Sequence, residues 1–132
     1  MAFTAQNLFD RTIGMIGISS SNSSTYTESF PQQVNTVLAE CFEIENSNRL
    51  SKGVAVLTAI PTVSALIDSI DYQDIMKQTL SYGLAMYLSL SDDDTIKAQF
   101  FNTQYEDAKN RAEKGVPVII TDYFNEEDLE LV

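Results

Sequence analysis

The chain has 132 residues, 44% of them apolar, and 19 acidic against 8 basic side chains leave a net charge of -11. That length permits one domain burying roughly 65 to 70% of its unfolded surface, and the charge argues against unaided binding to nucleic acid or anionic membranes, which cations drive. Histidine is absent, which removes the commonest general base and metal ligand together with Ser-His and Cys-His nucleophile activation, so the reading is that the chain is not an enzyme.

The amino terminus lacks the basic and apolar regions of a signal peptide, and no run approaches the roughly 20 apolar residues that span a bilayer. A cytoplasmic chain with no membrane contact is expected. Thr4 is placed to cap a first helix in which Ala5, Leu8, Phe9, Thr12, Ile13 and Ile16 fall on one side and Gly17 ends the run. Gly14 costs that helix up to about 1 kcal/mol against alanine and reads as a weak point rather than a close contact. Ser19 to Thr27, SSSNSSTYT, is too polar to offset the entropy of ordering it and is predicted to be a mobile loop. With neither glycine nor lysine, it lacks the Walker phosphate-binding pattern.

Thr25 and Glu28 resemble a capping box for a second helix, with Pro31 in its first turn. Phe30, Val34, Val37, Leu38, Cys41 and Phe42 then recur at the cleanest helical spacing in the chain. The lone Cys41 reads as a small hydrophobe on that stripe. Glu40, Glu43 and Glu45 read as a solvated face rather than a metal site, since no histidine or calcium-loop glycine accompanies them.

From Lys52 to Ile70 neither helical nor strand periodicity persists, and Gly53 and Pro61 interrupt an apolar, β-branched run. An extended or short-hairpin connection is expected to lie on the bundle, with Val54, Val56, Ile60, Val63, Leu66 and Ile67 partly inserted. Left exposed, such a segment is a candidate for subunit contact. Asp71 reads as the cap of a third helix, with Asp74 as a first-turn acid. In that helix Met76, Leu80, Leu84, Tyr87 and Leu88, widened by Ala85, Met86 and Leu90, cover most of the circumference, placing it at the centre of a bundle. Ser91 and Asp94 read as the cap of a fourth helix, so the acidic turn Asp92-Asp93-Asp94 has a structural use; further oxygen ligands for a divalent cation are missing. In the fourth helix Ile96, Phe100, Phe101, Tyr105, Ala108 and Ala112 hold one side, and Asp107–Arg111 and Lys109–Glu113 are i,i+4 pairs on the other.

Gly115 and Pro117 stop that helix. The expected architecture is therefore all-α: a small four-helix bundle with an apolar extended connection between helices 2 and 3. Residues 1–115 form the helical domain and residues 116–132 a C-terminal tail. The tail opens with the β-branched Val116, Val118, Ile119 and Ile120 and ends with five acids and no base in its last eleven residues. It either packs back on its own domain or docks elsewhere, for instance by adding a strand to a partner's sheet edge.

The stretches AQNLFDRTIGMIG, VNTVLAECF, the NSNR turn, LSYGLAMYLSLSDDD and FFNTQYEDAKNRA, in that order from about Ala5 to Ala112, resemble the head-tail connector, or head completion adaptor, proteins of tailed bacteriophages and prophages. The pairing of YGLAMYL in the central helix with QYEDAKNRA in the last is the most suggestive part. The resemblance implies a helical bundle that forms a homo-oligomeric ring, expected to be dodecameric, beneath the portal protein after DNA packaging. Such a ring lies at the head-tail interface of the virion and extends the DNA channel. It also offers a platform to the downstream tail-completion protein. The resemblance further implies that a carboxy-terminal segment docks onto the portal, a role that falls here to residues 116–132, with Ile119, Tyr123, Phe124 and Leu129 as anchors. No cofactor is implied. DNA enters only as a translocating duplex, and a net charge of -11 suits a conduit through which DNA must slide. The alternatives are another phage morphogenesis component, such as a tail completion protein, and an acidic helical regulatory or interaction module.

Overall fold

A computed structural model describes residues 3–18 and 23–114. The described chain is an all-α bundle with a minimal sheet: β1 (Phe3–Thr4), α1 (Ala5–Ile16), α2 (Phe30–Glu40), α3 (Phe42–Ser51), β2 (Ser69–Ile70), α4 (Met76–Ser91) and α5 (Thr95–Glu113). β1 and β2 pair antiparallel, with Phe3 opposite Ile70 and Thr4 opposite Ser69.

α1 follows its sequence signals closely. The Thr4 hydroxyl accepts from Asn7 N–H at 3.2 Å and the Asn7 side chain accepts from Thr4 N–H at 2.9 Å, a reciprocal cap with asparagine in the usual Glu/Gln position. Gly17 ends the helix in the left-handed conformation at φ 79°, where a Cβ is disfavoured. Around Gly14 nothing lies within 4 Å of an added Cβ.

The expected second helix is two helices, divided at Cys41. There the backbone leaves helical geometry at φ -103°, ψ 5° while the i→i−4 bonds Cys41 N–H to Val37 and Glu45 N–H to Cys41 continue. The i→i−4 bonds that Phe42, Glu43 and Ile44 would make back to Leu38, Ala39 and Glu40 are absent, and the Leu38 carbonyl accepts from the Tyr72 hydroxyl instead; the expected NSNR turn lies inside α3. The bundle therefore holds five helices among the described residues. Thr25 and Glu28 do not cap α2, which starts at Phe30 behind Ser29 with Pro31 in its first turn and no side-chain cap. Ser23–Tyr26 forms a 3-10 turn instead, and the Tyr26 hydroxyl donates to Asp92 at 2.6 Å. That bond ties down part of the expected mobile loop, whose residues 19–22 lie outside the described chain.

α4 is the central rod, packed against α1, α2 and, most extensively, α5. Its start corrects the sequence reading: the first helical residue is Met76 behind Ile75, with no side-chain cap, so Asp71 caps nothing and Asp74 pairs with Lys77 at 3.6 Å. At the α4–α5 turn Asp94 accepts from Lys97 N–H at 3.1 Å, whereas Ser91 is the last residue of α4 and bonds back to Tyr87. Helix approach is closest at Gly83, where an added Cβ would stand 2.7 Å from Tyr105 Cε1 and 3.0 Å from Val37 Cγ1. Glycine is required there because a ring occupies the space. Leu8, Phe9, Phe30, Val34, Leu80 and Leu84 form the middle of the core, with Phe9 and Phe30 edge to face at 4.9 Å.

On α5 Phe101, Tyr105, Ala108 and Ala112 face inward as expected, but Ile96 and Phe100, assigned to the same side, stand 80% and 57% exposed. Ala98 and Phe101 beside them are buried, so α5 is covered here; at about 100° per residue Ile96 lies opposite Tyr105 and Phe100 about 140° from it, which puts both on the outer face. Arg111 pairs with Asp107 at 2.9 Å, while Lys109 pairs with Glu106 at 3.1 Å rather than with Glu113. No helix of the described residues is long and apolar enough to cross a membrane.

Candidate functional site

The connection of residues 52–70 is neither helix nor hairpin, so its backbone N–H and C=O groups need partners from elsewhere or must remain in water. Side chains of α2 and α3 supply some of them. Asn46 brackets Leu57, accepting from its N–H at 2.8 Å and donating to its carbonyl at 3.0 Å. Asn35 does the same for Val63, at 2.8 and 2.9 Å. Arg49 donates to the carbonyls of Ala55 at 3.0 Å and Asp71 at 2.5 Å, so one guanidinium staples both ends of the connection. The start of α1 contributes too: Ala5 N–H donates to Asp68 and Gln6 N–H to Leu66, so orphan donors of a helix N-terminus hold the far end of the segment.

Arg49 is itself positioned by Glu45, whose carboxylate is fully buried, lies 2.6 Å from Arg49 Nε and accepts Gln73 N–H at 3.1 Å. Glu45 was expected on a solvated face. Yet the inward positions of α2 continue past Cys41 at i+4, i+7 and i+8, which are Glu45, Asn48 and Arg49, all three buried. A stripe followed by apolarity alone ends at Phe42; an opposite-charge i,i+4 pair in phase with it was the available signal.

Held this way, the connection forms a ledge whose apolar side chains mostly stay outside. Val63 is buried and Leu66 half-buried, but Val54, Val56, Ile60 and Ile67, expected to be inserted, are exposed, as is Leu50 at the end of α3. Val56 and residues 58–62 carry no hydrogen bond within the described chain. From Gly53 to Ile67 fifteen consecutive residues bear no charge, in a chain of net charge -11.

A second apolar surface lies where α4 turns into α5. Leu90, Ile96 and Phe100 are exposed there, and of the three only Leu90 lines a hollow of about 290 Å³, with Met86, Thr95, Ala98, Gln99 and Asn102. The acidic turn Asp92-Asp93-Asp94 adjoins it, with Asp93 in the left-handed region at φ 59°. Together the ledge and this corner hold every exposed large apolar side chain of the described residues. Along the rest of α4 no large apolar side chain is exposed, and its contribution to this surface is Leu90.

The remaining polar cluster joins Glu40 to the hydroxyls of Tyr87 and Tyr105, the latter at 2.7 Å, with Cys41 Sγ 3.5 Å from the Tyr105 hydroxyl. Burial pushes the Cys41 thiol up to about 11 and Tyr87 up to about 12, and raises Tyr105 as well. All three stay protonated near neutral pH, so the cluster presents hydrogen-bond donors to Glu40 rather than a thiolate or phenolate nucleophile. Glu40, Glu43 and Glu113 also line a broad depression of about 610 Å³ with Ile44 and Ile60. Among the described residues no group of three or more Cys, Asp or Glu side chains is placed to hold a metal ion.

The tail anchors Ile119, Tyr123, Phe124 and Leu129, like Gly115 and Pro117, lie outside the described residues. No family model, curated protein or solved structure matches the chain.

Proposed function

We propose that this chain is a structural assembly protein of a tailed-bacteriophage virion. It forms a ring between portal and tail that extends the DNA channel and receives the downstream tail-completion protein. The observation that carries this reading is the gathering of the exposed apolar side chains into two sets on different elements, Leu50, Val54, Val56, Ile60 and Ile67 on one and Leu90, Ile96 and Phe100 on the other. A ring needs head-to-tail contacts, in which two different surfaces of each subunit meet, and two unlike apolar surfaces on one subunit meet that need. The acidic balance supports the reading from a second side, since a conduit wall must not hold the duplex through phosphate contacts. Residues 116–132 dock on the portal through Ile119, Tyr123, Phe124 and Leu129.

The test is to mix purified full-length protein with portal rings and image the product. A symmetric added layer supports the proposal. A monomer at every concentration by sedimentation, together with no association with portal, overturns it. Truncation after Gly115 is expected to leave a cooperatively unfolding bundle that no longer docks.

A further inference from the structure

The depression of about 610 Å³ between α2, α3 and the end of α5 has an apolar floor and an acidic rim. Phe42 and Ile44 are half-buried in it, and Ile60 closes it from the connection. Glu40, Glu43 and Glu113 line it as well, with no basic side chain among the described residues. Of the cations near the end of α5, Lys109 is drawn to Glu106 at 3.1 Å and Arg111 to Asp107 at 2.9 Å, which leaves the exposed Lys114 beside Glu113. Around Ile60, the backbone of residues 58–62 carries no hydrogen bond among the described residues.

We propose that residues 116–120 of the same chain lie across this depression, with Val118 and Ile120 turned into it and Ile119 left on the outer side. Position, charge and conformation select this segment. The stretch GVPVIIT begins two residues after Glu113 on the rim and bears no charge from Gly115 to Thr121. The last eleven residues, with five acids and no base, are repelled by the same rim. At about 3.4 Å per residue, residues 116–120 extend about 17 Å, enough to cross the depression. Tethering so near gives a roughly millimolar effective concentration, whereas a segment from a second copy must also offset the lost freedom of association. Pro117 holds Val116 extended, and the β-branched residues after it favour the same conformation, in which successive side chains alternate between faces. Their N–H and C=O groups need partners, and those of residues 58–62 are open. The inference goes beyond the ring reading: the first part of the tail is a tether, and the portal-docking side chains begin at the outward Ile119.

Disulfide trapping in the free full chain tests it. The native Cys41 is buried, with its thiol pushed up to about 11, so it stays out of mild oxidation at neutral pH. Ser47 is exposed and lines the depression, and the double variant Ser47→Cys, Val118→Cys is expected to close an internal disulfide, leaving a monomer lighter by two hydrogens. Arg111 is exposed about 160° around α5 from Glu113 and within reach of the same tether, so Arg111→Cys, Val118→Cys reports on a loose tail. The Ser47 pair should close several-fold faster. Equal rates, no internal disulfide at Ser47, or cross-linked dimers from a mixture of the single variants Ser47→Cys and Val118→Cys overturn the proposal. Amide exchange gives a second readout. The amides of residues 118–120 should exchange more slowly in the native chain than in Val118→Asp, with α4 alike in both, and unprotected amides in the native chain also overturn it. Neither measurement contains portal rings, so failure here leaves portal docking standing, and failure to dock on portal leaves this contact standing.

Discussion

Of the sixteen residues of α4, ten are buried, whereas the connection of residues 52–70, no less rich in branched aliphatic residues, buries only Val63 and Ile70. The difference lies in the backbone. A helix satisfies its own N–H and C=O groups and can enter the core whole, while an irregular segment carries groups that only water or borrowed side chains can satisfy. The molecule lends it the side chains of Asn35, Asn46 and Arg49 and, at its far end, the first amides of α1, so an apolar ribbon is held in a defined shape on the outside. Polar residues spent on fixing an apolar surface in water point to a surface that meets something else.

That contrast can be broken most severely at its shared support. Glu45→Ala leaves the Arg49 guanidinium and Gln73 N–H without their buried acceptor, and a loss of about 3–5 kcal/mol in urea unfolding is expected, as for other buried pairs broken on one side. The alkaline response tests the core side. Cys41 is held protonated up to about 11 against an ordinary 9.0. Because its folded pKa is the raised one, the contribution is intact below pH 9 and is lost as pH climbs through about 11, by about 2–3 kcal/mol. Tyr87, pushed up to about 12, acts in the same direction at higher pH. Stability measured across pH 8–12 should therefore fall earlier in the native protein than in Cys41→Ala, whose starting value is lower.

Gly83→Ala drives a methyl into the Tyr105 ring, which its bond to Glu40 holds in place. Overpacking of about 1–3 kcal/mol should outweigh the helix propensity gained, up to about 1 kcal/mol, and lower the unfolding midpoint. Asn46→Ala is expected to cost only about 1 kcal/mol globally, because water replaces the lost bonds at the surface. Amide exchange should instead quicken selectively around Leu57, with α4 protected as before. Smallest of all, Ile67→Ser should leave monomer stability within about 0.5 kcal/mol, since the side chain is already in water.

Much of the helical framework was legible from residue spacing. The Thr4 cap, the Gly17 stop, the Asp94 cap, the inward face of α1 and the central place of α4 all rest on interactions within a few residues, where spacing and geometry are nearly the same information. Less legible were features whose cause lies far along the chain. Asp71 looked like a cap, but its carbonyl serves Arg49, 22 residues away. Ile96 and Phe100 were misassigned for a local reason: they stand about 140–180° from Tyr105 around α5 and face outward, while Ala98 and Phe101 beside them are buried.

The amino-acid sequence by itself determined an acidic, histidine-free, all-α chain with one apolar connection that fits neither helix nor strand, because composition and local periodicity are properties of neighbours in the chain. Tertiary structure alone decided that Glu45 and Arg49 go inside, that Asn35 and Asn46 clamp the connection, and that its valines and isoleucines face outward. Each of those outcomes depends on where distant elements place a donor, an acceptor or a covering side chain, and on the cost of leaving any buried polar group without one.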